Sequence, residues 1–188
     1  MPVSQLDATS ALIVIDLQRG IVSIPTVHPV EDVIANARRL ANAFRARHWP
    51  VVLVNVSGGA PGRTEQTLGS GLARPEGWDE LIDELDTCPD DILVTKYTWG
   101  AFTGTALDQM LREHGVTQVV VVGVATSAGV ESTARQAHEL GYHVTIATDA
   151  VTDRSPELHM NSVERIFPRI AETGTTEAIL ELVQPPVS

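Results

Sequence analysis

Residues 118–141 read QVVVVGVATSAGVESTARQAHELG, and this stretch decides the fold. Val119 to Val122 is an unbroken β-branched run, the pattern of a strand buried on both faces of a parallel sheet. Gly123 is expected to end that strand, and Thr126 or Ser127 to cap the helix that follows. From Ala128 to Leu140, residues Val130, Ala134, Ala137 and His138 or Leu140 recur at helical spacing, and Gly141 supplies the stop. A strand, a tight turn and a helix together aim backbone N–H groups and a positive helix end at whatever lies above the sheet.

The same grammar extends in both directions. Ala11–Ile15 (ALIVI) reads as a buried first strand with Asp16 directly after it, and Val30–His48 as an amphipathic helix with Val33, Ile34, Ala37, Leu40, Ala41 and Phe44 on one stripe. Val51–Val56 is a second strand. The segment from Ser57 to Gly77 holds six glycines, two prolines and two arginines, a candidate lid or interface loop. Trp78–Leu85 is expected as a short helix, Ile92–Thr95 as a third strand ending at Lys96, and Thr103 or Thr105 as the cap of a helix through His114. After the central stretch come a strand from His143 to Thr148 ending at Asp149, a helix from Pro156 to Ile170, a short strand at Glu172–Gly174 and a helix from Thr176 to Val183. Strands alternate with helices throughout, so residues 1–188 are expected to form a single doubly wound α/β domain with a parallel sheet. In such sheets ligands bind beyond the carboxyl ends of the strands, where Asp16, Lys96 and the Thr126–Gly129 turn all fall.

Composition narrows the function. The formal charge of −11 speaks against a nucleic-acid or anionic-membrane partner. No apolar run approaches the roughly 20 residues of a membrane span. The first residues lack a secretory pattern, and with one cysteine, Cys88, a cytoplasmic location is expected. Seven carboxylates crowd between Asp79 and Asp91, which reads as a solvated helix face.

The segments ALIVIDLQRG, KYTWGAFTGTALDQML and GVATSAGVESTARQA, in this order and at these spacings, resemble the isochorismatase-like hydrolase superfamily, often called the cysteine hydrolases. The resemblance runs from about Ala8 to Leu182. It implies a three-layer αβα fold with a six-stranded parallel sheet, and catalytic roles for Asp16 and Lys96. It also implies a non-proline cis peptide at Val124-Ala125, and an oxyanion or substrate turn formed by Val124, Ala125, Thr126, Ser127 and Gly129. The family's nucleophilic cysteine falls on Gly129, so thioester chemistry does not carry over. Ser127, Ser132 and Thr133 lie nearby, but Ser127 reads as a cap and the other two stand a turn beyond the nucleophile position. Metal-binding members carry Asp-x-His after the second strand, where this chain has Asn55-Val56-Ser57; no metal or other cofactor is expected. Gln18, Trp99 and Phe102 are candidate pocket residues, with core packing or a subunit contact as the alternative for the two aromatics. His138, His143 and His159 read as surface or helix-packing residues.

Two functions remain open at this level. One is hydrolysis of a small molecule without covalent catalysis, with Asp16 as general acid toward a vinyl ether or as general base toward a carbonyl. The other is a silent family member that binds a small, carboxylated molecule or serves assembly. The resemblance and the long glycine-rich loop also imply a homodimer or higher homo-oligomer, with Trp78 and Trp99 as contact residues.

Overall fold

Six parallel strands form one sheet: β1 (Ser10–Ile15), β2 (Val51–Val56), β3 (Ile92–Lys96), β4 (Gln118–Val124), β5 (His143–Thr152) and β6 (Glu172–Gly174). Their spatial order is β3-β2-β1-β4-β5-β6 in the computed structural model, which describes residues 2–65 and 74–183. The chain builds from β1 outward through β2 and β3, then returns to add β4, β5 and β6 on the other side of β1. Strand order therefore reverses between β1 and β4, the place where open α/β sheets bind ligands.

β1 and β4 are buried along their whole length, as expected of the two central strands. Alternate residues feed two cores. Ile13, Ile15, Val119 and Val121 pack under α3 (Leu107–Glu113), α4 (Glu131–Glu139) and Phe167 of α6 (Phe167–Ile170). Leu12, Val14, Val120 and Val122 pack under α2 (Val30–Ala46) and α7 (Thr176–Val183). Val33, Ala37, Leu40, Ala41 and Phe44 of α2 are buried, so the helix stripe meets the sheet as its spacing requires.

Several local expectations are corrected. Gly123 does not end β4; the strand continues to Val124, with Gly123 at φ 118° and its would-be Cβ only 2.0 Å from the Ile15 carbonyl oxygen. Glycine permits a strand to pass that close to its neighbour, and local pattern alone reads it as a break. β5 runs on through Asp149 to Thr152, because its pairing with β4 jumps from Val121↔Ile146 to Gly123↔Val151. Two steps on β4 thus oppose five on β5, and the extra residues form a bulge. Asp149 on that bulge caps α7, accepting from Thr176 N and Oγ1.

Residues 78–85 contain no α-helix; a turn, an isolated bridge at Leu81 and a three-residue 3₁₀ turn (Asp83–Leu85) take its place. The acidic run is accordingly not one helix face, and its Asp91 is a buried clamp holding Arg45 at 2.7 and 3.0 Å. The helix expected over 156–170 is present without a gap but is not uniformly α: α5 (Pro156–Asn161), a π-helical turn (Ser162–Ile166) and α6 follow one another directly. A single-turn helix, α1 (Arg19–Val22), follows Gln18 after β1. Part of the glycine-rich loop, residues 66–73, lies outside the described residues.

Candidate active site

Asp16 leaves β1 at φ 53°, a left-handed conformation uncommon for a residue with a side chain. Its N–H remains tied to Val54 O of β2, so the carboxylate projects at the end of the sheet. Lys96 ends β3, two strands away. With strands about 4.8 Å apart, its backbone stands roughly 10 Å from β1, a gap that only a side chain as long as lysine or arginine spans. Lys96 Nζ donates to Asp16 Oδ2 at 2.8 Å and to Thr98 O at 3.2 Å. Asp16 is 5% exposed and Lys96 1%. Among the described residues Asp16 Oδ1 is buried with no hydrogen-bond partner, a costly condition for a carboxylate oxygen. Burial raises the Asp16 carboxyl from the ordinary 3.8 to about 6, against the charge and hydrogen bond of Lys96, which pull it down.

The third element arrives from β4. Val124-Ala125 is a cis peptide, as the resemblance implied, and Thr126–Val130 form a single π-turn before α4. A Cβ on Gly129 would stand 2.9 Å from Ile15 Cγ2, 3.1 Å from Asp16 Oδ2 and 3.6 Å from Lys96 Nζ. Asp16, Lys96 and Gly129 therefore share one small volume at the reversal point of the sheet.

The other expected residues divide. Thr126 is fully buried and shares a 2.9 Å hydrogen bond with His159 Nδ1. Ser127 does not cap α4; its N–H and hydroxyl both donate to Asp153 Oδ2, at 2.7 and 2.8 Å. Thr133 donates to Gly129 O at 2.7 Å, so it supports the turn from below. Gln18 is completely buried, and its amide bonds Val56 N, Val56 O and Trp78 O. It stitches β2 to the segment around Trp78 and leaves no group for a pocket. Phe102 packs into the core against Tyr142, while Trp99 is 66% exposed beside the site. Trp78 lies against Gly20, under Arg74. Among the described residues no cluster of three or more His, Cys, Asp or Glu side chains is placed to hold a metal ion.

Sequence reading missed Asp153 and the role of His159. Asp153 directly follows β5 as Asp16 follows β1, so the same rule would have found it had the strand's true end been known. His159 is buried, and desolvation with the neighbouring His28 lowers its pKa against the raising effect of Asp153.

Across 10–178 the chain matches the isochorismatase domain family. The chain belongs to the isochorismatase family. It is similar to the uncharacterized isochorismatase family protein YwoC of Bacillus subtilis (strain 168), with 41% identity over 93% of this chain and 94% of that protein. An isochorismatase family protein of known structure from Burkholderia thailandensis superposes with a TM-score of 0.92 at 39% identity, covering 96% of this chain and 98% of the other. The ureidoacrylate amidohydrolase RutB of Pseudomonas syringae pv. syringae (strain B728a) is 31% identical over 83% of this chain and 76% of its own length. The isochorismatase fold, a parallel sheet between two helical layers, is thus what places Asp16, Lys96 and the β4 turn together.

Proposed function

We propose that this isochorismatase-family chain is a hydrolase that cleaves a small molecule by acid–base catalysis through Asp16 and Lys96, with no covalent intermediate. The observation that carries the reading is the buried Asp16–Lys96 pair, in which Asp16 Oδ2 faces Gly129 and Asp16 Oδ1 has no partner among the described residues. A carboxyl at about 6 is mostly ionised at neutral pH, which suits a base better than an acid. Asp16 Oδ1 takes a proton from water as the water oxygen bonds to a carbonyl carbon, and returns that proton to the leaving nitrogen or oxygen. Lys96, 2.8 Å from the carboxylate, orients it and offers positive charge to the developing oxyanion. The near-closed pair keeps these charges out of bulk water, where their fields act more strongly. The likeness to an amidohydrolase favours amides and ureido compounds as first substrates to try.

The test is a screen of small amides, ureido acids, esters and carboxylated vinyl ethers against the wild type and Asp16→Asn. Turnover should fall by about 100-fold or more in the variant. In the wild type kcat/KM should climb with pH and level off above about 6, as the carboxyl loses its proton. A rate that instead falls through that range assigns Asp16 the acid role. Saturable binding with no turnover of any compound replaces the hydrolase with a binding protein. We further propose self-association, supported by the uncharged, exposed Leu93, Tyr97 and Trp99 along the edge strand β3 and its extension.

A further inference from the structure

Asp153 is a buried carboxylate that the reaction above does not use. It follows β5, and because Val124 pairs with Thr152, it stands beside Ala125 at the start of the turn. The residue is 3% exposed. Its Oδ2 accepts from Ser127 N at 2.7 Å and Ser127 Oγ at 2.8 Å; its Oδ1 accepts from Arg154 N at 2.7 Å and Ser155 N at 3.3 Å. No lysine or arginine forms an ion pair with it among the described residues. A buried carboxylate costs several kcal/mol unless it is paired or fully hydrogen-bonded, and here four donors do what a cation does elsewhere.

Those donors belong to two different segments. Arg154 and Ser155 lead into α5, whose Ser155 hydroxyl caps Leu158 N at 3.3 Å. Ser127 belongs to the turn that brings Gly129 to Asp16. The bond also occupies the Ser127 N–H, so that group anchors the turn and is not free to meet a substrate oxygen. We propose that Asp153 is a positioning residue, which by bridging Ser127 to the start of α5 sets the distance between the Gly129 turn and the Asp16–Lys96 pair. This rests on the hydrolase reading for its consequence in rate, though the hold on the turn is independent of it. Misplacement by about 1 Å is enough to cost roughly 100-fold in a reaction that depends on near-attack geometry.

Asp153→Asn keeps the shape but only one acceptor oxygen, so whichever way the amide sits it cannot accept from Ser127 and from Arg154 and Ser155 together, and the bridge is broken on one side. Two readouts test it by separate routes. Amide hydrogen exchange at Ser127 should quicken by roughly tenfold or more relative to Val14 and Val121 in the core. With the best substrate, kcat should fall by roughly tenfold or more while KM moves less than about threefold. Unchanged exchange, or loosened exchange with kcat intact in an active enzyme, overturns the proposal. Loosened exchange in a protein whose wild type turns over nothing supports the hold on the turn and sinks the hydrolase. Should Asp153→Asn not fold, the wild-type Ser127 amide decides: exchange as fast as an exposed loop amide overturns the proposal, and core-like protection supports it.

Discussion

Gly129 has no unusual backbone; its φ is not positive, so the missing side chain is a matter of space. A Cβ there presses on the Ile15 Cγ2 methyl at 2.9 Å, a stiff β-branched group that must shift, and on the Asp16 carboxylate at 3.1 Å, which can give by a few tenths of an ångström. Gly129→Cys is therefore expected to fold with a loss of about 1–3 kcal/mol, the range for a modest overpacking. Its thiol would meet Asp16 as proton acceptor, Lys96 as counter-charge and the start of a helix, all of which promote the thiolate. Iodoacetamide should consume it faster at neutral pH than it consumes Cys88, and adding Lys96→Met should slow it. Equal rates for the two cysteines would mean that the volume around residue 129 does not activate a nucleophile. Asp16 itself carries a local cost, since a left-handed non-glycine residue is typically about 1–3 kcal/mol above its relaxed state. The bonds of its neighbours to β2 and Lys96 hold it there, and the result is a carboxylate aimed across the strand ends instead of along β1.

At the scale of elements, the site depends on how closely β4 approaches β1. Gly123 lies at φ 118° with a would-be Cβ 2.0 Å from Ile15 O, a backbone atom that cannot step aside without breaking the ladder. Gly123→Ala should consequently cost about 3 kcal/mol or more, seen as a fall in the urea midpoint with little change in slope. An unaltered midpoint would show that β4 carries no such constraint. The β5 bulge opposite Gly123 belongs to the same local geometry: it lets the strand resume pairing at Val151 and deliver Asp153 to the turn. None of this reads from periodicity. A β-branched run tells which residues are buried on a strand, but a glycine inside it is equally consistent with an end, a bulge or a close approach. The π-helical stretch inside the 156–170 helix is equally silent in the periodicity, though it lies just before Pro168, whose missing N–H cannot serve an α-helical bond.

For the whole molecule, charge and surface pull in opposite directions. A formal charge of −11 opposes association at low salt, while Leu93, Tyr97 and Trp99 expose 60%, 60% and 66% of their surface along one edge. If that edge is an interface, sedimentation at micromolar concentration and physiological salt should give a dimer or larger species, and Trp99→Glu should dissociate it. A lone species of 20.2 kDa under those conditions refutes the association.

The alternation of apolar strands with amphipathic helices was enough, read alone, to specify the doubly wound α/β class, both central strands, and the Asp16, Lys96 and β4-turn positions at strand ends. These follow from local burial patterns and from the rule that parallel strands deliver functional groups at their carboxyl ends. The tertiary structure decided what depends on contacts between distant residues. Lys96 reaches Asp16 over an intervening strand, Gln18 spends its amide on β2, Ser127 serves Asp153, and Phe102 turns into the core. A side chain's partner is set by where other strands end and how far their ladders run. Those distances arise from packing the whole sheet, which no window of sequence contains.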